Sequence, residues 1–200
     1  MPIARNVLAI AIGTVMSAAA LGQGTATTVQ RDVNQQQRIE QGLQTGQLTT
    51  GEAARLEKQE TKVETMQNSA LKDGTLTPAE QVRLQNAQNS VSADIRRQKH
   101  NARTGNPDSG SSTRMQADVQ RNISQQARVE QGVKSRQLTN SEVARLERGQ
   151  AHVTAKEAAA GANGRVGPAE QRNIQASENY QSARIYHKKH NVITKPQQAG

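Results

Sequence analysis

The chain has no cysteine, no tryptophan and no phenylalanine, and two tyrosines are its only aromatic residues. Without cysteine there are no disulfides, thiolate nucleophiles, thiolate zinc sites or iron–sulfur clusters. Apolar residues make up 33% of the 200 positions, too few for the interdigitated core of a large enzyme. The shortage of rings also argues against a module that stacks on bases, and no specific nucleic-acid motif is present. No nucleophile elbow, phosphate-cradling glycine loop or zinc-protease helix occurs either. Catalysis and a cofactor are therefore not expected. Positive charge, by contrast, is in excess: 26 Lys and Arg stand against 17 Asp and Glu, a formal net charge of +9 and an isoelectric point near 10.4.

Residues 1–22 read as a secretory signal. Arg5 precedes an uncharged apolar stretch from Val7 to Leu21 that ends in small residues. Cleavage fits after Ala20 and equally after Gly22. The apolar run is shorter than the ~20 residues that span a bilayer, no later run is longer, and no cysteine follows for lipidation. The mature chain is thus expected to have no transmembrane segment.

The rest is one pattern written twice. Gln35-Gln36-x-Arg38-x-Glu40-Gln41-Gly42 recurs as Gln125-Gln126-x-Arg128-x-Glu130-Gln131-Gly132, and Gln47-Leu48-Thr49-x-x-Glu52 as Gln137-Leu138-Thr139-x-x-Glu142. Pro78-Ala79-Glu80-Gln81 matches Pro168-Ala169-Glu170-Gln171, and Lys99-His100-Asn101 matches Lys189-His190-Asn191 at the same offset of 90. Roughly four residues in ten agree without a gap, the mark of tandem duplication. Repeats at 23–103 and 114–200 are expected, joined by a Gly/Pro/Ser-rich linker at 104–113.

Each repeat predicts three helices, near 26–44, 49–72 and 77–102, then 114–134, 139–161 and 168–191. Thr49…Glu52, Thr77-Pro78-Ala79-Glu80 and Thr139…Glu142 are capping boxes, and Gly167…Glu170 keeps the spacing with a glycine cap. Gly46, Gly74 and Gly164 suit the left-handed residue that ends a helix. The seams are thin: Leu56, Val63, Met66 and Ala70 in the second helix, Leu84, Ala87, Val91 and Ile95 in the third. An all-α fold follows, two tandem three-helix units, each marginal alone and completed by the other copy or by self-association. Glutamine-rich faces are expected in water. So are Glu57, Glu60, Glu64, Glu142 and Glu147, as partners of surface Lys and Arg.

Three features bear on function. The turn Asp73-Gly74-Thr75-Leu76-Thr77-Pro78-Ala79-Glu80 is similar to the back half of an EF-hand calcium loop, with glycine at loop position six and glutamate at twelve. Ser69 and Leu71 stand where oxygen ligands belong, and a glycine cap followed by a capping box explains the same residues without metal. His187 and His190 share a helix face, with His100 equivalent to His190 in the first repeat, so a transition metal has two imidazoles available. Third, each unit ends in a basic cluster: Arg96, Arg97, Lys99, His100 and Arg103, then Arg184, Lys188, Lys189 and His190. Clusters of this kind attract polyanions by counterion release.

The combination of an export signal, Gln-x-Leu-Thr-x-x-Glu, Thr-Pro-Ala-Glu and Lys-His-Asn resembles a group of small exported proteobacterial proteins with no assigned activity. That resemblance implies a periplasmic or secreted location in a Gram-negative cell. The expectation is an exported, non-enzymatic helical interaction or scaffold protein of the envelope, whose basic helix ends meet an anionic polymer or envelope component. The alternative is a periplasmic metal-responsive protein using Asp73 and Glu80, or His187 and His190.

Overall fold

The computed structural model describes residues 18–191, with side chains from residue 24 onward. Most of the expected export segment, residues 1–17, lies outside the described residues. The described chain is helical: α1 (Ala18–Gln44), α2 (Thr50–Leu71), α3 (Pro78–Lys99), α4 (Gly110–Lys134), α5 (Asn140–Ala160) and α6 (Pro168–Lys189), with a 3₁₀ turn at Gly161–Asn163. No strand occurs among the described residues, and no helix there is long and apolar enough to cross a membrane.

The helix boundaries follow from local chemistry. Thr49, Thr77 and Thr139 each accept a hydrogen bond from the backbone N–H of the glutamate three residues on, and that glutamate reaches back to the cap N–H. Gly167 has no side chain to offer, but Glu170 still accepts from its N–H at 2.7 Å. Gly46, Gly74 and Gly164 turn left-handed, with φ of 70°, 91° and 84°. In the remaining turn Arg136 takes that conformation, φ 58°, which a residue with a Cβ adopts at a cost. α4 starts at Gly110, earlier than expected, because Ser109 caps it by accepting from the Ser112 N–H. The connection before it is tied down where the Gly105 N–H donates to the Gly46 carbonyl at 2.8 Å.

α1 lies along α4 and α2 along α5, while α3 covers α1 and α2, and α6 covers α4 and α5. Both central pairs are antiparallel. The Gln30 carboxamide meets the Glu130 carboxylate, and Gln120 meets Glu40. Gly51 approaches Gly164 at one end of α2, and Gly74 approaches Ser141 at the other. Neither apolar cluster belongs to one half. Leu56, Val63 and Ile95 pack with Met115, Val119 and Ile174, and Leu71 and Leu84 belong with Leu146 and Ile185. The thin seams are therefore completed by the other half of the same chain. Met66, assigned to a seam by its spacing, is instead 37% exposed.

The largest departure from expectation concerns the polar residues. Gln35, Gln36, Gln67, Gln88, Gln125 and Gln126 are buried, not in water, and so are Glu57, Glu60, Glu64, Glu142 and Glu147. On α2, Glu57, Glu60, Glu64 and Gln67 follow one another at intervals of three and four, which aligns them on a single stripe. That stripe faces into the meeting of α1, α2, α4 and α5, since its partners come from the other helices: Gln36, Asp32 and Thr154.

One contact between the halves is made by small residues, Gly161 against Ala54. A Cβ at Gly161 would sit 2.6 Å from Met115 Cε and 2.7 Å from Ala54 Cβ. Gly161 has φ −80°, so the objection is steric rather than conformational. Gly161→Ala is expected to cost about 1–3 kcal/mol by overpacking, read as a lower urea midpoint with an unchanged slope.

Candidate functional site

The buried polar seam is built from carboxyl groups set against carboxamides. Gln36 Nε2 donates to Glu57 Oε2 at 2.9 Å. Ninety positions on, Gln126 Nε2 donates to Glu147 Oε2 at 3.0 Å. Asp32 accepts from Gln67 Nε2 and, at 2.6 Å, from Gln88 Nε2. In the second half the roles are exchanged, and Asn122 Nδ2 donates to Glu157 Oε2 at 2.7 Å. Gln150 then donates to Asn122 Oδ1 at 2.8 Å. Glu64 Oε1 accepts from the Thr154 hydroxyl at 3.1 Å, a contact that joins the two halves directly.

Electrostatics in the seam are dominated by loss of water. Burial raises Asp32 and Glu57 to about 7 and Glu147 to about 8, and the hydrogen bonds from Gln67 and Gln88, Gln36 and Gln126 offset only part of that. Glu60, Glu64 and Glu157 are raised further, first by burial and then by neighbouring carboxylates. On the α4–α6 side, burial lifts Asp118 to about 7 and Glu178 to about 8, although Arg121 Nε lies 3.4 Å from Glu178 Oε2. The capping glutamates behave oppositely. Burial pushes Glu52 up, but the Thr49 N–H, Asn101 and Arg103 together hold it below its ordinary value.

The basic clusters lie outside this interior. Lys99 Nζ donates to Gln41 Oε1 at 2.9 Å, at the C-terminal end of α1, and Lys189 Nζ to Gln131 Oε1 at 2.8 Å, at the C-terminal end of α4. Because α1 and α4 are antiparallel, the two clusters occupy opposite ends of that pair and do not merge. Several members have intramolecular partners: Arg97 pairs with Asp94, Arg103 lies 3.7 Å from Glu52, and Arg184 donates to the Arg145 carbonyl at 2.6 Å. Arg96 and His100 are exposed, and Lys188 is half-buried.

Beside the second cluster a groove of about 510 Å³ runs between α5 and α6, flanked by Arg148, His152, Tyr180 and Arg184 over Val153. At Gly149, which also lines it, the Gln181 and Arg184 side chains lie where a Cβ would stand. The equivalent positions of the first half carry Gln59 for Gly149, Ser90 for Tyr180 and Asp94 for Arg184, so this cationic recess is specific to the second half.

The residues singled out for metal are occupied locally. Asp73 Oδ1 accepts from the Thr75 N–H, and Glu80 Oε2 from the Thr77 N–H, both at 3.0 Å. His190 stacks on Tyr186 with ring centroids 4.2 Å apart, and its Nδ1 is 2.8 Å from the Tyr186 carbonyl. Among the described residues no three His, Asp or Glu groups converge as metal ligands.

No family model, curated protein or solved structure matches the chain. The seam must therefore be read from its own chemistry. A signal for it was present in the sequence: the residues four positions after Glu57, Glu60 and Glu64 are Thr61, Glu64 and Asn68. A water-facing acidic stripe ordinarily has Lys or Arg at that spacing.

The amide partners set how much the buried acids cost. Gln126→Leu keeps the approximate volume and removes the donor to Glu147. The folded-state value of Glu147 then moves above about 8, and stability lost to its ionisation grows. The expected loss is about 1.5–3 kcal/mol on the alkaline side and less near pH 5, where the acid is neutral, measured by urea melts at the two pH values.

Proposed function

We propose that this is an exported, non-enzymatic helical protein of the cell envelope that engages polyanionic partners through the basic ends of α3 and α6. Its architecture is read as two diverged copies of one three-helix unit. Matching hydrogen bonds at the same offset support that reading: Arg31 to Asn89 with Arg121 to Asn179, and Asn101 to Glu52 with Asn191 to Glu142.

The observation that carries the functional reading is the sorting of charge. Eleven of the 17 acidic residues are buried, while no lysine or arginine is buried among the described residues. The surface is therefore far more cationic than a net charge of +9 suggests. A surface of this kind concentrates counter-ions and steers polyanions. The groove between α5 and α6 adds a second-half recess where Arg148 and Arg184 flank an apolar floor. Lipopolysaccharide and acidic polysaccharide both present the repeated phosphate, sulfate or carboxylate groups that such clusters bind.

The test is binding of the mature chain to heparin and to lipopolysaccharide across a salt series. Affinity is expected to fall steeply with salt, on the order of one log unit of affinity per log unit of salt for each anionic group contacted. Reversing Arg96, Arg97, Lys188 and Lys189 to Glu is expected to weaken binding at least about tenfold and flatten the salt slope. Binding that is absent at low salt, or that survives the reversal, removes this reading.

A further inference from the structure

We propose that the seam where α1, α2, α4 and α5 meet is a proton-binding site: the fold holds several of its buried carboxyls as neutral acids, and releasing those protons loosens one half from the other. This inference does not depend on polyanion binding.

The first argument is a donor count. Gln36 gives one N–H to Glu57 Oε2, which leaves Gln36 Oε1 and Glu57 Oε1 both buried without a donor. Gln126 and Glu147 leave the same two oxygens without one. A carboxylate cannot supply a donor, whereas a carboxylic acid has one O–H. One proton on each pair gives an acid and an amide two complementary bonds in place of one bond and two orphaned acceptors. Glu60 is the extreme case, 1% exposed with no donor to either oxygen.

Nothing cationic inside the seam replaces those protons. From α1, Arg31 and Arg38 act on the seam, but Arg31 bonds Asn89 and Arg38 bonds the Ser92 carbonyl. From α4, Arg114 and Arg121 act on Asp118, with Arg114 donating to the Val166 carbonyl. α3 contributes only the neutral Gln88. α5 and α6 add further acids, Glu147, Glu157 and Glu178. A metal ion is the poorer neutraliser, because amide N–H groups already point at Asp32 and, among the described residues, no three acids stand at metal-ligand geometry.

The two halves supply an internal comparison. Where the first half has Asp32 bonded to Gln67, the second has Asn122 bonded to Glu157, so acid and amide have exchanged places within one pair. Glu60 is matched by Gln150. A neutral acid is nearly isosteric with an amide and offers a donor and an acceptor as the amide does; an ionised carboxylate is acceptor-only. Interchange at the same buried place is what a protonated site tolerates.

The direction with pH follows. Stability from these groups is complete below their ordinary unfolded values and declines as pH rises through the folded values, about 7 for Asp32 and Glu57 and about 8 for Glu147. Glu52 and Glu80, whose values are lowered, act the other way and only toward acid. Between about pH 5 and 8 the buried acids therefore decide.

The experiment is urea unfolding of the full mature chain across that range, with infrared spectra of the native protein. The unfolding constant is expected to rise about tenfold per pH unit for each proton the fold holds, for at least about two protons. A protonated-carboxyl C=O band is expected near pH 6 and is expected to vanish on unfolding. Glu60→Gln is expected to reduce the pH slope by about one proton and to raise stability toward alkaline pH, while Asp108→Asn, on an exposed turn, leaves the slope alone. Stability that is flat or rises between pH 5 and 8, or a native spectrum without that band, overturns the proposal. If Glu60→Gln fails to fold, the native infrared spectrum still decides.

Discussion

The structure depends on placing carboxyl groups where water cannot reach them and no cation goes with them. An ionised carboxylate in such a place costs several kcal/mol unless it is paired. Here the partner is a carboxamide: Gln36 for Glu57, Gln126 for Glu147, Gln67 and Gln88 for Asp32. This accounts for a composition that otherwise looks ill-suited to folding. Glutamines expected to face water are interior donors, and each is held by a partner on a different helix. Polar bonds of fixed geometry thereby specify how α1, α2, α4 and α5 sit together, which a seam of alanine and valine alone specifies poorly.

The apolar part of the core is arranged around the same constraint. Large side chains are scarce, so those that exist are shared: both clusters draw on both halves, and neither half keeps a core of its own. Close approach is bought with small residues, Gly161 against Ala54 and Met115. Antiparallel pairing then brings corresponding features of the two halves to opposite ends, which is why the basic helix ends stand apart and the acids gather in the middle.

What was legible in the sequence was whatever is decided within a few residues. Thr49, Thr77 and Thr139 as caps, and Gly46, Gly74 and Gly164 as left-handed turns, need only their neighbours in the chain, and the helix ends fall within a few residues of where those signals put them. The polarity of the interior was legible only in the missing Lys or Arg four residues after Glu57, Glu60 and Glu64, because spacing by three and four is itself common to a surface ladder and a buried stripe. Telling them apart requires knowing what lies opposite, and for Glu64 that is Thr154, 90 residues away. Met66 fails for the complementary reason: a correct period places it beside the seam, but it lines a surface recess with Glu80, Arg83 and Leu84 of α3 and stays 37% exposed. The basic ends were visible as a run of Lys and Arg. Arg97 has a partner within reach of its own helix in Asp94, but the partners of Lys99 on α1, Arg103 on α2 and Arg184 on α5 could not be read locally.

Interior acids and exterior bases are two sides of one arrangement. Each carboxyl drawn into the seam removes a negative charge from the surface, and each proton it keeps removes that charge from the molecule altogether. Acidification therefore acts on both at once. It supplies the donors that Glu57, Glu60 and Glu147 lack, tightening the contact between the halves, and it raises the net positive charge of the molecule. Alkaline conditions reverse both effects, since ionising the seam weakens the scaffold that holds the basic ends in place while lowering that net charge. The two consequences have the same sign because they come from the same protons, so a helical protein without cysteine acquires a stability and a surface potential that move together with pH.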